Sequence, residues 1–168
     1  MQTELLFLVA EIGAAFAGFA TLVAVVSDRS GRSPDQVRFR FRLLQNALVS
    51  SLLTVAFAIL PAVVAEQDID PSVALRGSAG ACFVILSAYI AYILPRLLRN
   101  FRAAAQPIPA NFVAATLASL AIDLIFAACA LGVLPTSAYY IANSGLLFIA
   151  GVAFLRFFLL LGREVDPD

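Results

Sequence analysis

The chain has 168 residues, 62% of them hydrophobic and only 13% charged, and its mean hydropathy is +0.95. That is too apolar for a water-soluble globule, whose apolar share is nearer half, so an all-α, polytopic integral membrane protein is expected. Eleven acidic and eleven basic residues cancel, all the basic ones are Arg, and there is no His; no basic face remains to bind a nucleic acid, and imidazole and amine chemistry are removed.

A hydrocarbon core about 30 Å thick takes roughly 20 residues of helix to cross. Five stretches meet that length, at about 3–27, 37–65, 73–99, 111–134 and 137–161. The segments between them hold Gly31, Pro34, Pro71, Pro107, Pro109 and Pro135, residues that stop helices or start turns. Linkers this short make consecutive helices antiparallel neighbours, so a single transmembrane domain, 1–168, is expected.

The first helix carries two rows of small residues, Ala10/Ala14/Gly18 and Gly13/Ala17/Thr21. Close contact is what associates helices in lipid. Two rows can serve two partners, one inside the protomer and one in a second copy, so a homo-oligomer is expected. Glu4, Glu11 and Gly18 recur every seven residues, and Glu11 falls about 12 Å below the outer end. No charged start with a short apolar core and a small-residue cleavage site is present. The helix is therefore expected to be an anchor and not a removable signal.

Arg29 and Arg32 lead into the second helix, which opens with Arg38, Arg40 and Arg42 around Phe39 and Phe41. A helix about 43 Å long projects its first turns past the hydrocarbon, where these arginines are expected to meet anionic lipid or another anion. Arg42, Asn46, Ser50 and Thr54 follow one another by single turns. The next linker is acidic, with Glu66, Asp68 and Asp70. The third helix has the small pairs Gly77/Ala81 and Ser87/Ala91 and ends on Tyr89, Tyr92, Arg96 and Arg99, an aromatic belt running into cationic lipid contacts.

In the fourth helix, Ala110/Ala114/Ala118 and Ala115/Ser119 repeat the small-residue spacing. Thr116, Ser119, Asp123, Ala127 and Ala130 share a face, and Asp123 is placed about 16 Å below the outer end. The fifth helix adds Tyr140, Asn143 and Ser144, and carries Arg156 about 8 Å from its inner end, where it is expected to turn toward headgroups.

Short loops keep Arg on the cytoplasmic side. Arg96, Arg99 and Arg102 at the third linker, the arginines at the first, and Arg163 put the C-terminus inside and the N-terminus outside, with Arg76 as the exception. A bacterial inner membrane is the expected location.

A carboxylate at the centre of a span costs about 2.5–3.5 kcal/mol, so Glu11 and Asp123 are expected to be functional. The expected function is an oligomeric channel or transporter for a small ion, most consistent with a cation or H⁺. Glu11, Asp123, Ser119, Thr116, Asn46, Ser50, Thr54 and Asn143 would form the ion pathway, with Glu4, Glu66, Asp68 and Asp70 at the outer mouth. The alternative is an accessory subunit that docks partner proteins without transport, its acids fixing helix register. Acids in a wet cavity favour conduction, and acids enclosed by hydrogen-bond partners favour structure.

Enzymatic activity is not expected. No base accompanies Ser144, there is no CxxC, and LAIDLIF around Asp123 lacks the glycines of intramembrane aspartyl proteases. Without His, no metal or cofactor site of the usual kind is expected. Cys82 and Cys129 are expected to act as small apolar residues, not as a disulfide.

Overall fold

The computed structural model describes residues 2–27, 34–67, 69–103 and 110–162. It is all-helical, with no strand among the described residues: α1 (Gln2–Ser27), α2 (Pro34–Ala65), α3 (Pro71–Ala103), α4 (Ala110–Ala130) and α5 (Ser137–Gly162). Each is long and apolar enough to span a membrane. Large apolar side chains such as Leu124, Leu131 and Phe148 stand exposed, as lipid contact requires.

Both α2 and α3 begin on proline, whose fixed φ suits the first helical position and whose missing N–H would have no helical partner there. Asp70 caps α3: its carboxylate accepts the Ser72 N–H at 2.8 Å and the Ser72 hydroxyl. These bonds, hydroxyl first, hold its carboxyl below the ordinary 3.8. A depressed value makes the cap complete above the ordinary value and lost as pH falls through the lower folded one. Amide-exchange protection at Ser72 and Ala74 is expected to drop on acidification, and Asp70→Ala should produce the same loss at neutral pH.

The fourth helix stops at Ala130, four residues short of the end expected from hydropathy. Gly132 adopts φ +74°, the Val133 N–H reaches the Ala128 carbonyl at 2.9 Å, and the Gly132 N–H reaches that of Cys129 at 3.1 Å. This is a glycine-terminated helix end that satisfies the last carbonyls. Leu131 and Val133, apolar enough to read as helix, are exposed turn residues.

The chain divides into two compact units. One comprises residues 1–59 and 143–168, hence α1, most of α2 and most of α5. Gly13 of α1 packs on α2: a methyl there would lie 3.0 Å from Val55 Cγ2 and 3.3 Å from the Ser51 carbonyl oxygen. On α5, Phe154 meets Phe16 and Phe19 of α1 at centroid distances of 5.4 Å. Ala10, Ala17, Ala47, Ser51, Thr54, Leu146 and Ala150 are buried.

The helix-1 rows do not separate cleanly: Ala10 of one row is buried with Gly13 and Ala17 of the other, whereas Ala14, Gly18 and Thr21 are exposed. Gly13→Ala should destabilise by about 1–3 kcal/mol, because the backbone carbonyl of Ser51 cannot give way cheaply. Gly18→Ala, with nothing within 4 Å of its new methyl, should not lower thermal stability in detergent.

The second unit, residues 60–142, is built on α3 packed antiparallel to α4. Arg76 stands against Gly132, Gly80 against Ala130 and Ser87 against Asp123. Ala79, Cys82 and Leu86 of α3 and Ile122, Phe126 and Cys129 of α4 are all buried. Gly77, Ala81, Ala91, Ala114, Ala115 and Ala118 are exposed, so of the small residues expected to mark packing faces on these helices, Ser87 meets the other helix while these six do not lie in the core. Small spacing names a face that permits close approach, and shape decides which face is used.

Candidate functional site

Asp123 is the best-defined polar feature of the second unit. It lies seven residues, about 10 Å, from the C-terminal end of α4, and about 20 Å from its start. The early stop of α4 thus brings it nearer that end than the 16 Å expected. The residue is buried, and its Oδ2 accepts a 2.6 Å hydrogen bond from the Ser87 hydroxyl of α3. Its Oδ1 is buried with no hydrogen-bond partner among the described residues.

The described arginines of this unit are engaged elsewhere. Arg76 lies on Gly132, its Nη1 3.2 Å from the place a methyl would take. A cation there complements the C-terminal end of α4, which gives the one arginine out of pattern a local reason. Arg96 stacks 3.7 Å over the Tyr92 ring and donates to its hydroxyl, and Arg99 donates to the Pro95 carbonyl. Arg96 and Arg99 are exposed, a cation and ring pair suited to headgroups.

Along α4, Thr116 and Ser119 are half-buried on the Asp123 face, and each donates its hydroxyl to its own helix, to the carbonyls of Phe112 and Ala115 at 2.9 Å. Their oxygen lone pairs are left as acceptors. Beyond Asp123 in the other direction the seam closes. Phe126, Cys129, Cys82 and Tyr139 are all 0% exposed. The Tyr139 ring sits edge-on to Phe126 at 5.4 Å, and its hydroxyl pairs with the Cys82 thiol at 3.4 Å. Cys129 Sγ points to the Pro135 carbonyl at 3.9 Å, and both thiols are free.

The remaining expected pathway residues scatter. Glu11 lies in the first unit and is exposed, on the same open face as Glu4, Ala14 and Gly18. Thr54 is buried and Ser50 half-buried, but the Thr54 hydroxyl is donated to the Ser50 carbonyl at 2.8 Å. Asn143 is completely buried with both amide atoms unpartnered among the described residues, as is Ser78 Oγ. Glu66 is exposed, and Asp70, assigned to a cation-collecting mouth, is occupied as a helix cap. Asp68 and the side chains of Asn46, Arg38, Arg40, Arg42 and Arg156 lie outside the described residues.

The sequence does not single out Ser87 as the partner of Asp123 or Tyr139 as the partner of Cys82. The antiparallel hairpin carried the signal for Ser87: counting equally back from the α3–α4 linker places Asp123 within a turn of it. Tyr139 carried none, since a tyrosine in an apolar helix looks the same whether it faces lipid or core. Compared with known families, curated proteins and solved structures, the chain matches none.

Proposed function

We propose that the protein is a small oligomeric channel or transporter for a small cation, H⁺ among them, in a bacterial inner membrane, with its arginine-rich linkers cytoplasmic. The observation that carries the reading is the buried, unpartnered Oδ1 of Asp123 within a span. A carboxyl whose second oxygen has no donor among the described residues keeps one ligand position for a proton, water or cation, and acids are retained in spans chiefly for such work.

Oligomerisation is supported by Glu11. Exposed within an apolar span beside Ala14 and Gly18, it is costly against lipid. A second copy of the same face would take it out of contact with lipid and set polar side chain against polar side chain across a two-fold axis. The accessory-subunit reading draws on the Ser87–Asp123 bond, which also fixes the register of α3 on α4.

The test is flux. Purified protein in liposomes should dissipate an imposed proton, Na⁺ or K⁺ gradient faster than empty vesicles. No acceleration for any of the three removes the transport reading and leaves the accessory one. Mass measurement in detergent should give more than one protomer, and Gly18→Leu should shift it toward the monomer.

A further inference from the structure

Resting on that reading, we infer that Asp123 takes a proton and not a metal cation, and that the proton reaches it only from the side of the α4 N-terminus. Ligand identity follows from the donor set. Among the described residues the site offers one carboxylate, and the hydroxyl bonded to it, that of Ser87, donates its proton to Oδ2. A desolvated cation of the Na⁺ or Ca²⁺ kind needs a shell of roughly six oxygens. Among the described residues no three metal-ligating side chains come together, whereas a proton needs only the free lone pair of Oδ1.

The entry side follows from the polarity of the α4 face that carries the acid and from burial beside it. From Asp123 toward the start of α4 that face carries the half-buried hydroxyls of Ser119 and Thr116. In the other direction it carries Ala127 and Ala130, half-buried but without a polar side-chain group, beside Phe126, Cys129, Cys82 and Tyr139, which are fully buried. Among the described side chains of α3 and α4, with Tyr139, the titratable or charged groups besides Asp123 and Arg76 are Cys82, Cys129 and Tyr139 on the sealed side and Tyr89, Tyr92, Arg96 and Arg99 on the turns of α3 beyond Ser87. The cation Arg76 lies beyond the seal at Gly132. Release across the membrane would need Phe126 and Tyr139, whose rings meet edge-on, to part.

Two experiments on the full-length protein in vesicles test this. A hydrophobic carbodiimide attacks only neutral carboxyl groups, so labelling of Asp123, read by peptide mass spectrometry, should fall on the order of tenfold per pH unit once the acid ionises. It should not change with added Na⁺ or K⁺. Protection by either ion, or labelling that does not follow pH, overturns the proton assignment, while gradient dissipation by the same vesicles would still support transport.

For the entry side, a membrane-impermeant thiol reagent should leave the native Cys82 and Cys129 unlabelled from both faces. It should label Ser119→Cys from one face only. Labelling of a native cysteine in the folded protein, or a silent Ser119→Cys in both vesicle orientations, overturns the one-sided path.

Discussion

Asp123→Asn is expected to reduce proton flux in proteoliposomes to the level of empty vesicles, a loss of roughly two orders of magnitude or more. A positioned proton-transfer group is worth about 10²–10⁴-fold. The substitution keeps the size of the side chain and an acceptor for the 2.6 Å bond from Ser87, so stability should stay within about 1 kcal/mol of wild type. What is removed is the ability to gain and lose a proton. Ser87→Ala gives the opposite separation: it leaves Oδ2 without its donor and should cost about 1–3 kcal/mol while flux persists. Full flux in Asp123→Asn with normal assembly would assign the acid to helix register and sustain the accessory reading.

Tyr139→Ala carries the largest expected loss of stability. The side chain is completely buried, packs edge-on to Phe126 and Tyr140 at 5.4 and 6.3 Å, and pairs through its hydroxyl with Cys82. Truncating a buried aromatic costs about 3–5 kcal/mol in water-soluble proteins. In lipid the water-transfer part of that cost is small and lost packing supplies most of it, so about 3 kcal/mol is expected from denaturation in mixed micelles. Tyr139→Phe keeps the ring and removes only the hydroxyl, and should cost about 0.5–1.5 kcal/mol. Equal effects of the two would mean that the hydroxyl pair with Cys82, and not ring packing, holds this end together.

The two substitutions sit on one seam yet test different things, because the α3–α4 contact changes character along its length. At Asp123 it holds a hydrogen bond and an open acceptor. Less than two turns away, at Phe126 and Cys129, the side chains are fully buried. The proposed selective passage would need both a polar site and a barrier, and this change along the seam is what the two substitutions probe.

Hydropathy alone determined that the chain makes five apolar helices, since a stretch of some twenty residues without water must close its own backbone bonds and only a helix does so locally. It also marked Asp123 and Asn143 as polar groups within spans, and both are buried. The end of α4 was not legible, because Leu131 and Val133 continue the apolar run and only the left-handed turn at Gly132 ends it. Nor was the fate of Glu11, equivalent to Asp123 by depth and chemistry but exposed. Which face of a uniformly apolar helix turns inward has almost no amphipathic signal in a membrane protein, because lipid and core are equally apolar. That choice belongs to shape, to Gly13 against Ser51 and to Ser87 against Asp123, and it exists only once the helices have met.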